Sequence, residues 1–326
     1  LATIGLSAAL EQFHPTDLIA HSRLAEEHGF RGVMAADHFQ PWVPQQGHNA
    51  HAYAWMGALG ATTGHRFGPG VTCPSFRYHP SVIAHAAATL GAMYPGRFWL
   101  GLGSGEALNE NVVGGVWPEP LERFEMLQEA VEIIQKLFSG KDVRHRGTHF
   151  QMNKVRMWTL PAQPVPIYVA ATGPQTLRWA GKVCDGLITP GASPEKLKGI
   201  LENFAQGARV AGKNPDTMPK LLQLHVSWAE SDDEALQNAL TEWPNGGMNF
   251  PKQDVRSPDD FAAMAKLVRA EHFTGRVLIS SDLEQHRAHL QGFIDLGFNE
   301  IYVHNVGRNQ EAWIRAYGEH VLSKLT

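Results

Sequence analysis

Apolar residues along this chain fall into two alternating patterns. Short, nearly unbroken apolar runs recur at ATIGLSA (2–8), GVMAADH (32–38), GPGVTCP (68–74), FWLGLGSG (98–105), IYVAATG (167–173), GLITPG (186–191), LLQLHVSWA (221–229) and EIYVHNVG (300–307). Continuous apolarity is what a parallel strand needs when helices cover both faces of its sheet. Longer segments between these runs repeat their apolar residues at helical spacing. PTDLIAHSRLAEEHG carries Leu18, Leu24 and Ala25 on one face, with Gly29 placed to stop it. PSVIAHAAATLGAMY opens with Pro80 at a first helical turn. LERFEMLQEAVEIIQKLF sets Leu121, Phe124, Leu127, Val131, Ile134 and Phe138 opposite its glutamates.

Eight such strands alternating with helices predict an α/β fold, a (β/α)8 TIM barrel in preference to an open sheet. A length of 326 residues suits a single barrel domain spanning 1–326. VRHRGTHF reads as a small strand insertion. The tract from about 230 to 282 is too long for one crossover, so inserted helices are expected there, before the last strand, covering the barrel mouth. Within it PNGGMNFPKQD (244–254), rich in Gly, Pro and Asn, predicts a loop over that mouth.

Composition narrows the class of function. Apolar residues make up 43% and charged residues 18%, with a net charge of −4 and no basic tract, so nucleic acid has no electrostatic reason to bind. Cys73 and Cys184 form no CxxC, which fits a reducing cytoplasm. No leader-like charged and apolar segment appears, and no run approaches the ~20 apolar residues of a membrane span, so a cytoplasmic protein without a membrane partner is expected. Seventeen histidines invite a metal reading, and His48 with His51, or His286 with His289, sit three apart. No HExxH or cysteine cluster accompanies them, so no metal is expected.

Active sites of barrels lie at the C-terminal ends of the strands. The second run ends in Asp37-His38, within AADHFQPW. The third ends in Gly70-Val71-Thr72-Cys73-Pro74, the fourth in Gly103-Ser104-Gly105-Glu106, and the fifth in Ala171-Thr172-Gly173-Pro174. GLGSGEALNE fails the dinucleotide fingerprint, because Glu106 stands where the sixth position needs glycine and would oppose a pyrophosphate. Glycines at a strand end instead let a flat ligand lie against the backbone. Glu106 also reads simply as an acid at a helix N-terminus. ATGPQT, a strand end running into a helix start, offers backbone N–H groups to a phosphate or is an ordinary turn.

Taken together, LEQF, DHFQPW, FRYHPSVIA, YPGRFWLGLGSGEALNE, PIYVAATGP, CDGLIT and IYVHNVG resemble the luciferase-like flavin and deazaflavin oxidoreductases, nearly end to end. Within that family the chain is similar to the branch of glucose-6-phosphate dehydrogenase type, which uses the 8-hydroxy-5-deazaflavin coenzyme F-420 (F420). The resemblance implies a luciferase-like (β/α)8 barrel with the ring at the strand ends. It implies catalytic roles for His38, Trp42 and Glu106. It implies cofactor contacts from Asp37, Gly70, Val71, Gly105, Asn109, Ala170, Ala171, Thr172 and Gly173, with a cis peptide at Gly70–Val71. For the substrate it implies Glu11, Lys252 and Arg276.

The implied chemistry is hydride transfer, with the His38 imidazole, at a near-neutral pKa, as base for a substrate hydroxyl. Glu106, if protonated, would donate toward the ring, and Trp42 would shape the substrate face. The sugar-phosphate enzymes of this branch hold phosphate with two lysines and an arginine. Lys252 and Arg276 match two of these, but PGASP (190–194) has no lysine, and Gln253 stands where the branch has a histidine. Another alcohol or sugar is therefore an open alternative as the small-molecule substrate. FMN is the alternative cofactor, with monooxygenase chemistry, and flavin binding without turnover is a third reading. A homodimer is expected from the family habit alone.

Overall fold

The computed structural model describes residues 2–326. Its strands in chain order are β1 (Thr3–Ala8), β2 (Gly32–Ala35), β3 (Arg66–Pro69), β4 (Leu100–Leu102), the hairpin β5 (Val143–Arg146) and β6 (Gln151–Val155), then β7 (Ile167–Ala170), β8 (Gly186–Pro190), β9 (Lys220–Ser227), β10 (Leu278–Ile279) and β11 (Glu300–Asn305). Parallel pairing runs β3-β2-β1-β11-β9-β8-β7-β4. Bridges Phe67–Phe98 and Thr72–Leu102 join the two ends, so eight strands close into a barrel.

The outer layer is α1 (Pro15–Glu27), α2 (Ala52–Thr62), α3 (Pro80–Met93), the short α4 (Ala107–Glu110), α5 (Pro120–Phe138), α6 (Pro174–Val183), α7 (Pro194–Val210), α8 (Asp232–Glu242), α9 (Pro258–Ala265), α10 (Leu283–Asp295) and α11 (Gln310–His320). Proline occupies the first turn of several of these helices, where its missing N–H costs no bond. The face that α5 buries holds Phe124, Leu127, Val131 and Ile134 at the spacing read from the sequence, whereas Leu121 is exposed.

Two strand expectations need correction. The sheet has a ninth member: β10, inside the tract after β9, pairs with the mouth end of β9. Two residues are too few to leave a periodic signal. The third strand is Arg66–Pro69, not 68–74, because the peptide Gly70–Val71 is cis and the chain touches β4 again only at Thr72.

At the N-terminal ends of the strands the lumen is plugged by Met34, Trp99, Tyr168, Ile188, Leu221 and Tyr302. Glycine makes room for these rings: a Cβ on Gly5 would sit 2.5 Å from the Tyr302 ring. The carboxylate, guanidinium and hydroxyl groups of the plug pair with one another, whereas the Trp99 indole N–H has no partner among the described residues. Arg66 Nη1 donates to Glu300 at 2.9 Å, the Tyr302 hydroxyl donates to the other carboxylate oxygen at 2.9 Å, and Arg66 Nη2 reaches the Tyr168 hydroxyl at 3.3 Å.

The tract between β9 and β11 has an apolar cluster of its own. Trp243, Met248, Phe261, Val268, Phe273 and Val277 pack with Val43 and the partly buried Trp42 from the loop after β2 and with Leu108 from α4. That cluster builds one wall of the cavity described next.

Candidate active site

Beyond Ala35 the chain leaves the sheet and turns across the barrel mouth. The Trp42 and Val43 amides meet the Gln46 side-chain oxygen, the first donating at 2.8 Å, which fixes the turn. His38 lies edge-on to Trp42, ring centroids 5.2 Å apart, and Trp42 in turn packs edge-on against Phe261 and Trp243. His38, Trp42 and Trp243 face a cavity of about 570 Å³ over the C-terminal ends of the strands, with Phe261 packed behind.

Every catalytic and cofactor position expected from the sequence lines this cavity: Asp37, His38, Trp42, Gly70, Val71, Gly105, Glu106, Asn109 and Ala170 to Gly173, with Glu11 beside them. Gly105 has φ +81°, and a Cβ there would lie 2.7 Å from Cys73 Sγ. Both constraints make glycine necessary. A Cβ on Gly173 would meet only open space. The Asn109 side-chain oxygen accepts from the Phe39 and Gln40 amides at 2.9 and 3.2 Å, so its amide nitrogen is left for the cavity. Glu106 precedes α4 yet makes no side-chain cap bond, so the plain helix-cap reading has no contact behind it.

Asp37 has its carboxylate already committed. Thr72 donates to one oxygen at 2.6 Å, and Arg77 Nη2 contacts the other at 3.2 Å while donating to the Asp37 carbonyl at 2.9 Å. Arg77 also pairs with the buried Glu110 at 3.4 Å. This network lies beneath the cavity and holds its floor.

Electrostatics differ above that floor. Glu11, almost fully buried, has an oxygen with no partner, and burial raises its pKa to about 7. Burial likewise raises Glu106 to about 7; Lys252 opposes the shift, while Glu110 and Glu11 add to it. Burial, helped by Arg77, lowers His38 to about 3, and its Nδ1 is buried without a partner. The near-neutral imidazole expected from the sequence is corrected accordingly: the ring is neutral across the physiological range.

Lys252 and Arg276 do not line the cavity. Lys252 donates to the Asn245 carbonyl at 2.6 Å and acts electrostatically on Glu106 and His225 without lining the cavity. Arg276 donates to Met248 O at 3.1 Å and to the Asn249 side chain, and it lines a separate, mostly apolar cleft against α10.

Sequence reading missed Gln223, His225 and Trp243, which complete the wall, and Arg77, which holds the floor. Gln223 and His225 carried a signal. They are polar residues two apart in an otherwise apolar strand, hence on the lumen side of β9. Arg77 lies in a segment quoted only for resemblance, and nothing local marks it.

No helix among the described residues is long and apolar enough to cross a membrane. Among them no group of three or more His, Cys, Asp or Glu is placed to hold a metal ion.

Comparison with known proteins adds three findings. Residues 2–300 match the family model described as luciferase-like monooxygenase. An F420-dependent glucose-6-phosphate dehydrogenase of Microbacterium testaceum is 40% identical over 324 residues, covering 98% of this chain and 96% of the relative. A solved structure of an F420-dependent secondary alcohol dehydrogenase in complex with an F420-acetone adduct superposes with a TM-score of 0.92 at 33% identity, covering 98% of each chain.

Proposed function

The chain belongs to the luciferase-like monooxygenase family, and on that premise we propose that it is an F420-dependent dehydrogenase acting on an alcohol carbon. The observation that carries this reading is the content of one cavity. A neutral imidazole with an unpartnered nitrogen and two carboxyls raised to about 7 share it with a ledge of glycine and alanine.

The residues present fit a flat ring. Gly105, Ala170, Ala171 and Gly173 leave backbone and methyl groups as the surface, and Asn109 offers an amide N–H. The start of α6 lies beside Thr172 and Thr176 at the rim, where backbone N–H groups suit a phosphate. When bound, the deazaflavin supplies the hydride acceptor.

The chain's own part is proton management and positioning. His38, uncharged, accepts a hydrogen bond from the substrate hydroxyl. As the carbon-bound hydrogen departs with its electron pair, the hydroxyl becomes strongly acidic and its proton passes to the imidazole, leaving the carbonyl product. Its low pKa, set by burial and Arg77, keeps the ring uncharged and ready as an acceptor. Glu106 carries its proton up to about pH 7 and is the donor for negative charge that develops in the cavity. Trp42, wedged between His38 and Phe261, gives the substrate a rigid apolar face and excludes water.

The test is a fluorescence titration of the purified protein with F420 and, separately, with FMN. Saturable F420 binding, followed by F420 reduction when a secondary alcohol is added, is the expected result. Binding of FMN alone would overturn the reading.

A further inference from the structure

Across the two indoles from His38 stands a second imidazole whose hydrogen bonds fix its tautomer. Gln12 sets the direction of the chain. Its amide nitrogen donates to Val306 O at 2.7 Å and to Glu242 at 3.2 Å, so its oxygen must accept. The group at that oxygen is His304 Nε2, 3.0 Å away, which therefore carries the hydrogen. A neutral imidazole protonated at Nε2 has a bare Nδ1. His304 Nδ1 lies 3.0 Å from His225 Nδ1, so His225 must supply the hydrogen there. His225 is then bare at Nε2, and that nitrogen takes no hydrogen-bond partner among the described residues.

Packing holds the ring in place. Trp243 lies against His225 with centroids 4.7 Å apart and planes 31° apart, and it meets His304 edge-on at 4.7 Å. His304 is buried, and His225 lines the cavity beside Gln223. Trp42 and Trp243, 6.3 Å apart, separate this imidazole from His38. The charged groups in the lining are Glu11, Asp37, Glu106, Glu110 and Arg123. Arg123 is already engaged, by Pro118 O at 3.1 Å and by Asp254 at 3.2 Å.

We propose that His225 is a specificity-determining residue: its Nε2 accepts a hydrogen bond from a second hydroxyl of the substrate, which is an unphosphorylated diol or polyol. The inference rests on the alcohol-dehydrogenase reading above and deepens it. A simple alcohol satisfies His38 and leaves the bare nitrogen of His225 without a donor. A polyol satisfies both, one hydroxyl reacting at His38 and another anchored at His225. A phosphate dianion brings only acceptors to a bare nitrogen with carboxyl neighbours, and Lys252, the cation that acts on His225, is outside the lining and already held by the Asn245 carbonyl, so phosphate is disfavoured there. The sequence gap noted above, PGASP without a lysine, agrees with this.

Two experiments on the full chain test the proposal. The first is ring ¹⁵N spectroscopy of the histidines in the wild-type protein at neutral pH, assigned with His225→Asn. Hydrogen on Nδ1 and a bare Nε2 at His225 is expected; the opposite tautomer overturns the relay. The second compares kcat/KM for hexan-2-ol with hexane-1,5-diol, whose second hydroxyl lies far enough from the first to reach past the indoles, and for glucose with glucose 6-phosphate, after F420 binding has been confirmed by fluorescence. Wild type should prefer diol over alcohol and glucose over its phosphate. His225→Phe, which removes the acceptor and keeps a ring on Trp243, should reduce the diol-to-alcohol ratio about tenfold, the scale of one hydrogen bond in a dry site. An unchanged ratio, or a preference for glucose 6-phosphate, overturns the proposal. Oxidation of none of the four compounds by F420-loaded protein is a different failure, that of the dehydrogenase reading itself.

Discussion

The two ends of the barrel lumen are built from the same strands, and each holds a buried glutamate whose oxygens are treated in opposite ways. At the N-terminal end Glu300 faces Arg66 and the Tyr302 hydroxyl, and both of its oxygens are used. At the C-terminal end Glu11, equally buried, leaves an oxygen without a partner, and His38 leaves a nitrogen in the same state. A buried polar group left unpaired costs on the order of 1–3 kcal/mol. The paired Glu300 serves stability. Glu11 and His38 carry a donor or acceptor that the fold itself does not use, and on the proposed reading these are the groups a substrate meets.

The strongest break of this contrast is His38→Ala. Loss of a positioned general base lowers turnover by about 10²–10⁴-fold. Steady-state oxidation of hexane-1,5-diol by F420-loaded protein should show that drop in kcat. The Kd for F420, read by fluorescence, should change far less, because the expected cofactor ledge lies on other residues. A variant within threefold of wild type in kcat would remove His38 from the proton transfer.

How much of this was readable from the chain follows the same division. The eight barrel strands announce themselves because burial on both faces demands unbroken apolar runs. AADHFQPW and GSGEALNE stand out because their polar residues interrupt those runs at strand ends, where a stable core has no use for them. Pairings across the sequence leave no local trace. Nothing near Asp37 says that Arg77 and Thr72 will occupy its oxygens. His225 and His304 are 79 positions apart and meet only because β9 and β11 are neighbours. Lys252 was legible as a cation, yet whether it faces the cavity depends on how the tract after β9 packs.

The second break is Glu11→Gln, followed by chemical denaturation at several pH values. The folded-state pKa of Glu11 is about 7, above the ordinary 4.5 of the unfolded chain. Between those values the folded state binds more protons, so stability falls as pH rises. The contribution is full below pH 4.5 and is lost as pH rises through 7. His38 and His225, lowered to about 3, act in the opposite sense and gain stability as pH rises toward 6.5, so the comparison must be variant against wild type. Glutamine mimics the protonated carboxyl. The two proteins should match near pH 4, and the variant should be more stable at pH 8 by up to about 3 kcal/mol, an upper bound because cavity water relieves the ionised form. Parallel curves at all pH values would mean that Glu11 ionises normally.

At the other end of the lumen the same substitution should have the opposite sign. Glu300→Gln replaces a carboxylate that accepts from Arg66 and Tyr302 with an amide that offers only one oxygen to the two donors. The Tyr302 hydroxyl is buried and has no water to turn to, whereas the Arg66 side chain is 38% exposed and can rehydrate. The loss is therefore limited to about one hydrogen bond, on the order of 1 kcal/mol, and the attraction of the half-exposed pair adds little. Urea denaturation at pH 8 should place the midpoint of Glu300→Gln below wild type and that of Glu11→Gln above it. Turnover per folded molecule should be unaffected by the change at Glu300, since the aromatic plug separates it from the cavity. If both substitutions moved the midpoint the same way, the distinction between a satisfied and an unsatisfied buried glutamate would fail.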